Sequence, residues 1–193
     1  MVVHSNWQAL PVFDPFQNRL CRDIRNELSE SLMAIINGAD IGVLSSVVEK
    51  YTAGNIEPFR RDYMDDRLAR YRTVLEQIKS SGIQTAETYG IALLLWDQEL
   101  FFEVHEWLEK KWLSADGTEK IILQALIRAA GTYVHLEHGR REGARKMASK
   151  AVITLVQYKA MVPSAFTVEV LIAKLAALDP VPPKFGQVRS SAA

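Results

Sequence analysis

The stretch from Glu119 to His138 is apolar nearly all the way round, and a helix of that kind belongs at the centre of a bundle. Projected at about 100° per residue, Ile122, Leu126, Ala129 and Tyr133 fill one side, while Ile121, Ile127 and Val134 flank the other. Between those flanks runs a polar line of Gln124, Arg128, His135 and His138, with Gly131 among them. A polar line on a buried helix needs partners, because an unpaired polar group taken out of water is costly.

The nearest source of partners is the helix-length run Leu100 to Trp112, which holds one His and three Glu and has neither Gly nor Pro. The same projection puts Phe101, Phe102, His105, Leu108, Glu109 and Trp112 on one face. Glu103, Trp107, Lys110 and Lys111 fall roughly opposite, and Glu106 lies on the flank. An antiparallel hairpin through Ser114–Thr118 then predicts one buried polar cluster of His105, Glu109, Gln124, Arg128 and His135. Glu106 and His138 would stand at its rim. Trp107, on the polar side, is expected to pack against another element, such as the N-terminal helices, or against a second subunit of a homo-oligomer.

Punctuation along the rest of the chain is helical throughout. Asp14 and Pro15 form a start signal for a helix over 16–36, which Asn37-Gly38 stops. Asp40 caps a shorter helix to about Tyr51, with Val43, Leu44, Val47 and Val48 inward. The charged segment 57–80 carries an apolar stripe, so its Arg and Asp residues, Arg67 included, are expected on a solvated face. A further helix over 85–97 turns a corner at Asp97-Gln98, and helices over 143–161 and 164–178 precede a Pro-rich tail expected to be mobile. The expected fold is all-α, a compact multi-helix bundle. The expected divisions are an N-terminal helical extension at 1–84, a core at 85–162, and a last helix with its tail at 163–193.

The 101–112 run resembles the signature of the domain of unknown function 309 family: an aromatic pair, Glu-Ala-His-Glu, a hydrophobic pair, Glu, and a Trp three residues on. A second segment of that family, Gln-Gly-Leu-Ile leading through an Ala-rich helix to a His and a Gly-Asn pair, is similar to Gln124–Ile127 through His135 to Gly139. Ala125 stands where the family usually has Gly, and Arg140 where it usually has Asn. The resemblance spans about 85–160 and implies a helix pair joined near Asp97. It implies no activity.

Composition removes several function classes. With 23 basic and 23 acidic residues, no global charge steers the chain to nucleic acid or to an anionic membrane. The basic group Arg140, Arg141, Arg145, Lys146 and Lys150 lacks the interleaved aromatics that single-strand binding wants. No apolar run is long enough to span a bilayer, and no signal peptide is evident. The single Cys21 fits a reducing compartment and a buried, inert thiol. A cytoplasmic protein is the expectation.

Three chemistries fit the expected cluster. Arg128 with Glu109 and Gln124 with His105 would make a network that fixes helix register and does no chemistry. His105, Glu109 and His135 would instead hold Zn²⁺ or Fe²⁺ with open positions, as in a hydrolase-like enzyme. Against that reading, the helix lacks the second His of His-Glu-x-x-His, and Arg128 would repel a cation. Finally, Arg128, His135 and His138 would hold a small anion, phosphate or carboxylate, with Glu106 or Glu109 as base. The sequence favours a structural or small-anion-binding module, with the metal-dependent enzyme as the alternative.

Overall fold

The computed structural model describes residues 11–84 and 87–186, and every regular element among them is helical. The order is α1 (Arg19–Ile36), α2 (Gly42–Thr52), α3 (Pro58–Ser81), α4 (Thr88–Asp97), α5 (Phe101–Ser114), α6 (Gly117–Glu137), α7 (Arg141–Gln157) and α8 (Val168–Ala177). Two 3₁₀ turns, Lys159–Met161 and Ser164–Phe166, lie between α7 and α8. The all-α expectation holds.

Local chemistry explains where the helices begin. Asp14 accepts a bond from the Phe16 amide at 2.8 Å, which closes a turn rather than starting the helix. Asn18 is the cap of α1, accepting from the Cys21 amide at 3.1 Å. Cys21, and not Leu20, then takes the inward place in the first turn, and it is buried as expected. Asp40 takes the Gly42 amide at 2.7 Å and so sets α2, although Val43 faces solvent. Gly82 ends α3 in the left-handed conformation that favours glycine. The expected start of the next helix at 85 falls outside the described residues.

Only Ala115 and Asp116 separate α5 from α6, so the two helices pack side by side as an antiparallel hairpin. The corner between α4 and α5 is made by Glu99, whose φ of 56° reverses the chain in two residues before Leu100. α6 lies between α5 and α7, with α4 against α5 and α8 against α7. Its residues Ile122, Leu123, Ala125, Leu126, Ala129, Ala130, Tyr133 and Val134 are buried, as its all-round apolar surface requires. The N-terminal helices close the other side: α1 packs on α5, and α3 on α4. One apolar cluster runs unbroken from Ile24 to Leu178.

The tail lies against the bundle as far as residue 186. Trp96 donates its indole N–H to the Pro183 carbonyl at 2.9 Å, and the Phe185 ring packs on Trp96 and Phe166. The Phe185 amide donates to Asp97 at 2.8 Å, and Lys184 bridges Asp97 and Glu99. A buried indole N–H needs an acceptor, and the Pro183 carbonyl of the tail supplies it.

Candidate functional site

α5 turns a different face to the core from the one its aromatics suggest. Leu100, Glu103, Val104, Trp107 and Leu108 are all buried, with Phe101 beside them. Their spacing is i, i+3, i+4, i+7 and i+8, the ordinary inward stripe of a helix, with a carboxylate in one of its places. His105 and Glu109 instead keep 29% and 46% of their side-chain surfaces in solvent. Phe102 and Trp112 are half-buried because cations cover them: the Arg25 guanidinium lies 3.7 Å from the Phe102 centroid, and Lys120 Nζ lies 4.7 Å from Trp112. Trp107, expected on the polar side, is in the core, and its indole donates to the Thr88 carbonyl at 2.8 Å.

The polar line of α6 therefore does not meet His105 and Glu109 in one buried cluster. Among the described residues no ion pair joins Arg128 to Glu109, and no hydrogen bond joins Gln124 to His105. Gly131 packs against Met147 of α7, so this line points toward α7 rather than across the hairpin. His135 stacks on Phe16 at 4.9 Å between centroids, His138 meets the same ring edge-on at 5.5 Å, and Arg140 lies over it at 4.6 Å. Burial, with Arg140 adding to it, lowers the His135 pKa. Burial also lowers that of His138, Arg25, Arg67 and Arg140 assisting and Asp14 opposing. Imidazoles held neutral against a phenylalanine are poorly placed to grip an anion.

What the fold does bring together is a second, deeper set of polar groups that the sequence reading missed. Glu103 is fully buried and accepts a bond from the Tyr71 hydroxyl at 2.5 Å. Arg67, only 7% exposed, donates from Nη1 to the Glu99 carbonyl at 3.3 Å. Its Nη2 lies 3.6 Å from Glu137 Oε1, and its guanidinium sits over Tyr63. Tyr63 in turn stacks on Phe13 at 3.5 Å. So Arg67 is no part of a solvated face: Met64, Arg67, Tyr71 and Val74 form the buried stripe of α3. Burial, followed by the charge of Glu103, pushes the Tyr71 phenol up, so it is a donor at neutral pH. Burial likewise raises Glu137 to about 7, against the pull of Arg67. With 28% of that side chain in solvent, water screens part of the penalty. Glu103 Oε2 and Arg67 Nε are buried without a partner.

A separate polar group lies on the half-exposed flank of α5. His105 Nδ1 is 3.2 Å from Glu106 Oε1 and 3.8 Å from Glu109 Oε2. Ligand-capable atoms of His105, Glu106 and Glu109 all lie within 4.8 Å of one another. His135 is not among them, so the expected set of His105, Glu109 and His135 does not come together, and the grouped atoms belong to a single helix face. The hydrogen bond from His105 and its charge hold Glu106 below the usual carboxylate range despite partial burial. That makes Glu106 a weak general base.

Both groups draw residues from a segment with a recognisable sequence. Residues 90–147 match the family model described as Domain of unknown function (DUF309). That match runs from Gly90 in α4 through α5 and α6 to Met147 in α7, and agrees with the family resemblance. Neither a curated protein nor a solved structure matches the chain. The family description carries no activity. Of the deeper network, Glu103 and Glu137 lie inside the matched segment, whereas Tyr63, Arg67 and Tyr71 lie outside it.

Proposed function

We propose that this chain is a helical binding module whose signature helix is a fixed wall, with its polar interior structural rather than catalytic. The observation that carries this reading is the buried Tyr71–Glu103 bond with Arg67 beside it. It ties the matched segment to α3 in one register, and it is sealed from any substrate. A carboxylate sunk among apolar residues needs a donor, and a bond of this kind between two helices is best suited to fixing how they dock. A double-mutant cycle of Tyr71→Phe and Glu103→Leu, each of which removes the bond, tests this. A hydrogen bond to a charged group predicts a coupling of about 1.5–3 kcal/mol in unfolding free energy. Additive effects would sink the reading.

The half-exposed flank supports a second reading, a divalent-cation site on His105, Glu106 and Glu109. One nitrogen and two carboxylate oxygens within 4.8 Å suit Zn²⁺ or Fe²⁺ and leave positions open for water. Calorimetric titration of chelator-treated protein with Zn²⁺ is the direct measurement. One-to-one binding lost in His105→Ala sustains the site, and heats unchanged by that variant remove it.

A further inference from the structure

Next to that flank, α1 and α5 enclose a cleft of about 180 Å³. Its α1 wall carries Arg25, Asn26, Ser29 and Glu30, and its α5 wall carries Glu106 and Lys110. The Ser29 hydroxyl, on a residue 1% exposed, has no hydrogen-bond partner. That is unusual, because a helical serine ordinarily returns its hydroxyl to a carbonyl one turn back, as Ser31 does to Glu27. The cleft thus holds an unused donor at its floor.

Arg25 is the second group of note, a cation with no acid paired to it among the described residues. It is half-buried over Phe102, yet its Nε and Nη2 donate to the neutral amide oxygen of Asn26, at 3.2 and 2.9 Å, and not to a carboxylate. Burial lowers its pKa, against the opposing charges of Tyr63, Glu103 and Glu106. Among the described residues neither Arg25 nor Lys110 has an acidic partner within ion-pair distance. A desolvated guanidinium with its bidentate edge given to an amide is a site built for a carboxylate. Glu30 and Glu106 stand on the same walls and would repel a dianion such as phosphate. They would instead accept a cation carried by the ligand.

We propose that the α1–α5 cleft binds a small zwitterion of the amino-acid class. Its carboxylate would meet Arg25, Ser29 and Lys110, its ammonium would meet Glu30 and Glu106, and its side chain would lie toward Met33. The site stands independently of the Tyr71–Glu103 network and needs no metal.

The test is a titration of isotope-labelled full-length protein, followed by amide shifts along α1 and α5. The probes are L-alanine, L-leucine and L-methionine, with propionate, ethylamine and inorganic phosphate as single-charge and dianionic counterparts. The expected result is saturable binding of at least one amino acid, at least tenfold tighter than propionate, ethylamine or phosphate. Arg25→Met should abolish it. Ser29→Ala should weaken it about tenfold while leaving the melting temperature the same or higher, since it removes an unsatisfied buried hydroxyl. If Arg25→Met fails to fold, Ser29→Ala still decides. The proposal is overturned if no amino acid saturates, if propionate or phosphate binds as tightly, or if Ser29→Ala binds as wild type does.

Discussion

The two faces of α5 hold carboxylates in opposite circumstances. Glu103 has no contact with water and accepts its bond from a phenol of α3. One turn and a half along, Glu109 keeps nearly half its surface in solvent and lies 3.8 Å from an imidazole on its own helix. The buried carboxylate joins parts of the chain 32 residues apart, whereas the exposed one joins neighbours four apart. Such local pairs contribute a few tenths of a kcal/mol, and a long-range buried one fixes an arrangement that fails when either side is removed.

Alanine at each position turns that contrast into a measurement. Glu103→Ala leaves the Tyr71 hydroxyl buried without its acceptor and should cost about 1–3 kcal/mol of unfolding free energy. Glu109→Ala, on the half-exposed flank, should stay within about 0.5 kcal/mol of wild type. Urea denaturation of both variants checks the pair. Similar losses at the two positions would mean that the flank is as structural as the interior, and would leave the binding readings there without support.

The all-helical fold was legible because it depends on local signals: periodic apolar residues, Gly82 after α3, and Asp40 before α2. The centre of the bundle was legible too, since α6 has no polar side wide enough to face water. What failed was the rotation of α5. Phe102 and Trp112 draw the expected core face toward His105 and Glu109, and only the tertiary position of Arg25 and Lys120 shows that those rings are covered by cations instead. One signal was available. Leu100, Val104, Trp107 and Leu108 make a full inward stripe, and accepting it places Glu103 in the core. Arg67 was hidden for the same reason, as one Arg among many in a charged segment. The i+4 neighbour that marks it, Tyr71, is itself a residue that sits equally well at a surface. The pairing of Glu103 with Tyr71 lies across 32 residues, and no local pattern encodes it.

The same two regions also titrate in opposite directions, which gives a gentler test of the contrast. Burial raises the Glu137 carboxyl from 4.5 to about 7, so the folded protein holds its proton longer than the unfolded chain does. Its contribution to stability is therefore full below the unfolded value and is lost as pH rises through about 7. On the flank, His105 holds Glu106 below its ordinary value, and that contribution is present at neutral pH and lost as pH falls through the lowered value. Replacing Glu137 by Gln keeps the uncharged form at every pH. Unfolding midpoints in urea between about pH 4.5 and 8 should then decline less in Glu137→Gln than in wild type as pH rises. His135 and His138, both lowered by burial, add a slope of the other sign near and below their ordinary value. They are present in both proteins, so the difference between the two profiles belongs to Glu137 and its partner Arg67. Parallel profiles would place the Glu137 carboxylate in water, and the polar interior would then end at Arg67.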